Sequence, residues 1–147
     1  MPRRFHQTCL FLISFAVFIA LSPSASSQER SAPTVTDFAY GKDHDRQNFD
    51  LWQAKSETPA PLVLMIHGGG WAGGDKSLYD EKQIQPYLEN GISVARINYR
   101  FILQAMEQGV EPPVKACLHD AARALQTIRS KAKEWNIDPR RIGATGT

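Results

Sequence analysis

Apolar and polar positions along the chain follow two periods, and each change of period marks an element. Residues 62–66, Leu-Val-Leu-Met-Ile, are an uninterrupted apolar run, as expected of a strand covered on both faces. Residues 92–99, ISVARINY, predict a second strand, whose Val94, Ile97 and Tyr99 suit a parallel sheet position. Between the two, Asp75 or Ser77 is placed to cap a helix running to about Asn90, with Ile84, Tyr87 and Leu88 on its apolar side, and Gly91 ends it. From Val114 to Trp135 apolar residues recur at 114, 117, 118, 121, 125, 128 and 132, the stripe of one long helix lying on a sheet. The turn NIDPRR then leads to a short strand opening at Ile142 in RIGATG. Ahead of all this, residues 38–40 and 49–54 predict two antiparallel edge strands joined by the charged turn GKDHDRQ. Strand, helix, strand, helix, strand is the alternation of an α/β fold with a mostly parallel sheet and crossover helices. Residues 100–112 read as a loop, with Phe101, Ile102, Leu103 and Met106 either lining a substrate cleft or forming an ordinary packed connection.

The apolar run at 62–66 passes directly into His67-Gly68-Gly69-Gly70-Trp71, followed by Gly73 and Gly74. Three successive glycines remove every Cβ, so several N–H groups can turn toward one point and approach an anion or a polarised oxygen closely. Loops at the carboxyl ends of parallel strands are where open α/β sheets hold their ligands. Three readings apply: an oxyanion loop, a dinucleotide-binding turn and a plain structural turn. The dinucleotide motif wants a carboxylate about twenty residues on, at the end of the next strand. That strand ends instead in Arg96, Asn98, Tyr99 and Arg100, which favours the oxyanion reading.

From about Phe49 onward the chain resembles the α/β-hydrolase fold, in particular exported esterases and lipases with an HGGG motif. The resemblance implies that Gly69 and Gly70 supply backbone N–H groups to the oxyanion of a tetrahedral intermediate. It also implies binding or supporting roles for His67, whose ring braces the loop, for Gly68, and for Trp71, beside the acyl pocket or simply in the core. In such folds the triad runs serine, acid, histidine in chain order, which argues against His67 and His119 as the catalytic histidine. Asp120 follows His119 on the long helix, but helix neighbours point about 100° apart, so a solvated or supporting Asp120 is expected. His44 lies in a polar turn and His6 in the leader. Gly146-Thr147 resembles the approach to a nucleophile elbow, whose serine is expected at the next position. Thr147 stands at the variable position of that elbow and is not expected to replace it. The sequence thus predicts the N-terminal half of an α/β-hydrolase domain, residues 28–147, truncated just before the elbow and inactive alone. The intact protein is expected to be a serine esterase on carbohydrate or other small esters. A lipase or peptidase of the same fold, or a non-catalytic interaction fragment, is the alternative.

Composition narrows the class further. Residues 1–27 have Arg3 and Arg4 ahead of an apolar segment at 9–21 and then SPSASS, the layout of a secretory signal peptide with cleavage near Ser26 or Ser27. The apolar segment is shorter than the roughly twenty residues of a spanning helix, so secretion or periplasmic export is expected rather than a stable membrane anchor. Seventeen basic residues face fifteen acidic ones, and without Arg3 and Arg4 the balance is even, which offers no argument for a nucleic-acid partner. Cys9 belongs to the leader, which leaves Cys117 alone on an apolar stripe as a small buried hydrophobe. The reading assigns no cofactor, no metal and no particular oligomeric state.

Overall fold

The structure, a computed structural model, describes residues 32–146. The predicted leader and Thr147 lie outside the described residues. Five strands form one sheet: β1 (Val35–Ala39), β2 (Asn48–Trp52), β3 (Ala60–Ile66), β4 (Ser93–Ile97) and β5 (Ile137–Gly146), in the spatial order β1-β2-β4-β3-β5. The first two pairings are antiparallel, and β4, β3 and β5 run parallel to one another. The α/β class is as predicted, and the sheet is mixed, its parallel part being β4, β3 and β5.

Among the described residues three helices accompany the sheet: α1 (Glu81–Glu89), α2 (Ile102–Glu107) and α3 (Val114–Ser130). Strand β4 lies on one side of β3 and β5 on the other, and the two long connections cover opposite faces. On one face Leu62, Leu64, Ala95 and Ile97 pack against Ala124 and Ile128 of α3. On the other, Met65 and Val94 pack with Ile84 of α1 and with Tyr79. The period-two side-chain alternation of a strand thus sends β3 residues to two separate cores, which is why 62–66 has no polar position. Each large side chain so buried contributes about 1.5–3 kcal/mol.

Several boundaries differ from the sequence reading. The α1 cap is Asp80, not Asp75 or Ser77, and it forms a capping box: Asp80 accepts from the Gln83 N–H while the Gln83 side chain accepts from the Asp80 N–H. Asp75 caps a separate 3-10 turn, Lys76–Leu78, accepting from the Ser77 N–H at 2.9 Å. Helix α3 stops at Ser130; Ala132 and Trp135, which prolonged the apolar stripe, are buried from the turns that follow. Asn136 then reverses the chain with φ 50°, its amide donating to the Ser56 and Thr58 carbonyls. Strand β5 begins earlier than expected, at Ile137 opposite Ala60. The predicted turn survives as an excursion before Ile142 pairs with Leu62.

One charged cluster interrupts the α1 face. Asp50 and Arg96 are cross-strand partners on β2 and β4, with Arg96 Nε donating to Asp50 Oδ2 at 3.0 Å. Lys76 Nζ donates to Asp50 Oδ1 at 2.6 Å and also to Asp37. Burial pushes the Asp50 carboxyl upward, but the Asp37 N–H, Lys76 and Arg96 outweigh it and hold the group below the usual carboxylate range. The cluster fastens the chain just after the glycine loop to the middle of the sheet.

Candidate functional site

The chain leaves β3 at Ile66 at the point where the sheet order reverses, with β4 to one side and β5 to the other. That reversal opens a crevice at the carboxyl ends of the strands. The glycine loop fills it. Gly69, Gly70, Trp71 and Gly74 all have positive φ, at 119°, 59°, 59° and 100°. A Cβ on Gly69 would stand 2.3 Å from the Gly73 carbonyl oxygen, and one on Gly74 would stand 2.4 Å from the Gly68 oxygen and 2.4 Å from His67 Nδ1. Both positions therefore demand glycine for space as well as for conformation. Gly70 and Gly73 would meet nothing within 4 Å. Within the loop Ala72 N–H donates to Gly69 O at 3.0 Å, while the Gly69 and Gly70 N–H groups take no hydrogen-bond partner among the described residues.

Behind the loop lies a tightly bonded support. His67 is 2 % exposed, stacks on Tyr99 with ring centroids 4.4 Å apart, and has Nδ1 2.8 Å from the Gly68 oxygen. The Tyr99 hydroxyl donates to His67 O at 2.8 Å. Asn98 Oδ1 accepts from the Lys76 N–H at 2.8 Å, and its amide donates to Asp75 Oδ2 at 2.9 Å. Burial raises the Asp75 carboxyl, yet the Ser77 N–H, the Asn98 amide and the Arg46 charge prevail and draw it down to about 2. Arg46 enters from the β1–β2 turn, its guanidinium 3.8 Å over the Phe101 ring and its Nε donating to Tyr99 O at 2.8 Å.

All five residues singled out in the sequence, His67, Gly68, Gly69, Gly70 and Trp71, line one open cavity of about 550 Å³, together with Ile66 and Gly146 at the ends of β3 and β5. Tyr99 and, from α3, Cys117, Leu118 and Ala121 also line it. Trp71 is 47 % exposed on the cavity wall and does not pack into the core. Phe101, Ile102, Leu103 and Met106 are absent from the cavity wall. Three of them belong to α2, and Leu103 and Met106 are exposed.

Asp120 is not solvated. It is 0 % exposed and accepts from Arg100 N–H, Nε and Nη2 at 3.0, 2.9 and 2.7 Å and from Gln47 Nε2 at 2.7 Å, tying α3 to the end of β4 and to β2. His119 is exposed on the same helix. Arg46 went unmarked in the sequence, because nothing local to GKDHDRQ signals a reach to a loop more than twenty residues away. Among the described residues no group of three or more His, Cys, Asp or Glu side chains is arranged to hold a metal ion.

Comparison with known proteins agrees with this geometry. A solved structure described as a truncated form of a carbohydrate esterase from gut microbiota superposes with a TM-score of 0.65 at 25 % identity, covering 82 % of this chain and 41 % of that one. An acetyl ester-xyloside bifunctional hydrolase from Caldicellulosiruptor lactoaceticus gives a TM-score of 0.54 at 29 % identity, covering 67 % of this chain and 33 % of the other. In sequence, neutral cholesterol ester hydrolase 1 of Rattus norvegicus is 27 % identical over an alignment of 146 positions that covers 93 % of this chain and 32 % of the rat protein. The chain thus spans about a third of the length of that relative. The BD-FAE family model matches residues 49–147, from β2 through β5 with the glycine loop between them. By that match, and by the sheet and loop it spans, the chain belongs to the BD-FAE family of α/β-hydrolase esterases.

Proposed function

We propose that the protein is an exported serine esterase acting on small carboxylic esters, with carbohydrate esters the favoured class. The observation that carries this reading is the pair of N–H groups at Gly69 and Gly70, without a partner among the described residues and held in left-handed backbone on the wall of a cavity at the sheet's switch point. Ester hydrolysis builds negative charge on the carbonyl oxygen twice, once as the acyl-enzyme forms and once as it is hydrolysed. Preformed donors stabilise both intermediates at about 3 kcal/mol each. In this reading a serine at a strand-to-helix turn is the nucleophile, and the N–H of the residue after it supplies a further donor. His67 and Gly68 hold the loop, and Trp71 flanks the acyl group. The carbohydrate preference rests on the two structural relatives described as carbohydrate and acetyl ester-xyloside hydrolases. Export rests on the leader pattern of residues 1–27.

The test is hydrolysis by the protein produced from its reading frame carried to the stop codon, with p-nitrophenyl acetate and acetylated xylan as substrates. Turnover of both, lost on treatment with an organophosphonate, is the expected result. Absence of ester turnover in a folded preparation sinks the esterase reading. Turnover of long-chain lipid esters but not of acetylated xylan keeps the esterase and replaces the substrate class.

A further inference from the structure

One terminal nitrogen of Arg46, Nη2, lies 3.0 Å from Gly74 O, 3.2 Å from His67 Nε2 and 3.2 Å from Asn98 Oδ1. A guanidinium carries donors only and stays protonated in proteins. His67 Nε2 therefore meets Arg46 with its lone pair, and the ring proton sits on Nδ1. That nitrogen faces the Gly68 carbonyl, which can only accept. Both contacts select one species, the neutral Nδ1–H tautomer. An imidazolium would set Nε2–H against the guanidinium, donor against donor.

The consequence reaches the loop through peptide geometry. In a trans peptide the C=O and the following N–H point in opposite directions. The Gly68 oxygen is drawn back onto His67 and enclosed there by Gly74, so the Gly69 N–H is turned away from the support and toward the cavity. We propose that Arg46 is a positioning residue of the oxyanion loop: it fixes His67 as the Nδ1–H tautomer, which pins the Gly68 carbonyl and thereby aims the Gly69 N–H at the reacting oxygen. This rests on the esterase reading for the identity of what Gly69 binds, and not for the tautomer.

The charged and titratable groups around His67 are Arg46 from the β1–β2 turn, Asp75 beyond the loop with its Oδ2 4.0 Å from Arg46 Nη1, and Tyr99 stacked on the ring. Burial and the Arg46 charge hold the imidazole below its ordinary range, while the bond to Gly68 and the Asp75 charge oppose that. Cation and ring support each other here, since Arg46 is itself held in place by Phe101, Tyr99 O and Gly74 O.

Two measurements separate this inference from the reading beneath it. Histidine nitrogen NMR on the present chain, with His67 assigned by comparison with His67→Asn, is expected to show a neutral Nδ1–H ring. Arg46→Met is expected to mix the tautomers and raise the ring's protonation midpoint. An Nε2–H or protonated His67 in the unmodified chain overturns the proposal whatever the enzyme does. In the full reading frame, Arg46→Met is expected to lower kcat about 10- to 100-fold with KM changed less than about 2-fold. It should also add an acid limb to the kcat–pH profile. Arg46→Gln, which keeps an N–H donor for Nε2 without the charge, is expected to recover most of the rate and guards against simple misfolding of the methionine variant. Ester turnover with kcat unchanged in Arg46→Met overturns the positioning role and leaves the esterase. No ester turnover in the unmodified protein overturns the esterase and the catalytic half of this proposal together, and the NMR result still decides the tautomer.

Discussion

The glycine loop can be tested one glycine at a time, because the structure assigns its glycines different burdens. Gly69→Ala places a Cβ 2.3 Å from Gly73 O and 2.7 Å from Gly73 C, both backbone atoms that have no rotamer to escape into, at φ 119°. The backbone strain alone is about 1–3 kcal/mol. Forcing the two sides of the loop apart adds about 1–3 kcal/mol more, so a loss of about 2–6 kcal/mol is expected. Gly70→Ala meets nothing within 4 Å but keeps φ 59°, which costs about 1–2 kcal/mol. Gly73→Ala meets nothing and has ordinary φ, so its effect is expected within about 0.5 kcal/mol of zero. Urea unfolding of the three variants, followed by far-ultraviolet circular dichroism, should rank them Gly73, Gly70, Gly69 in rising cost. In the full reading frame Gly69→Ala should also lower kcat by about two to three orders of magnitude, because the shifted backbone no longer aims that N–H at the oxyanion. Equal unfolding midpoints for Gly69→Ala and Gly73→Ala would refute the close approach on which the loop description depends.

Three further outcomes are expected. Asp120→Ala strands the buried Arg100 guanidinium and should destabilise by about 3–5 kcal/mol in urea unfolding, whereas the double change Asp120→Leu with Arg100→Met should recover most of that. A single variant as stable as the parent would show that the pair is not desolvated. Trp71→Ala should cost less than about 1 kcal/mol because the ring is half exposed, against about 3–5 kcal/mol for Trp135→Ala at 5 % exposure, and thermal unfolding of the two compares them directly. Asp75, drawn down to about 2 in the fold from near 4 unfolded, contributes stability that is present above about pH 4 and is lost as pH falls toward 2. With its side chain 45 % exposed, that contribution is discounted to about 1 kcal/mol. Asp75→Asn should therefore narrow its stability gap to the parent as pH drops through that window, and a constant gap would contradict the assignment.

The parts legible in the sequence are those where one local pattern had one physical outcome. An apolar run with no polar position, 62–66, had to be a strand covered on both faces, and the glycines behind it had to be a turn at its end. What escaped was decided by distant partners. Helix α2 is six residues with no sustained stripe, too short for periodicity to speak. The apolar spacing of α3 continued past its true end because Ala132 and Trp135 are buried from a turn, where the core and not the helix sets the spacing. Asp80 and Gln83 did carry the D-x-x-Q signature of a capping box, overshadowed by Asp75 upstream. The sequence leaves Asp120 open between a solvated and a supporting role, because its partners, Arg100 and Gln47, lie 20 and 73 residues away. The site followed the same division, with the loop readable and its support from Arg46 not.

The strand order also dictates when this sheet can be assembled. Strand β3 occupies a place between β4 and β5, and β2 pairs with β4 instead of with the strand that follows it in the chain. A polypeptide emerging from the ribosome through residue 66 can therefore make only the β1–β2 hairpin, with the most apolar segment of the domain unpaired along both edges. Pairing waits for Ser93–Ile97, and the second edge of β3 waits for Ile137–Gly146. Contacts of such long sequence separation form slowly, because the loop between them must close before any pairing is gained. The same arrangement that opens a crevice for a ligand thus leaves residues 62–66 as the stretch most exposed to aggregation while the chain is being made.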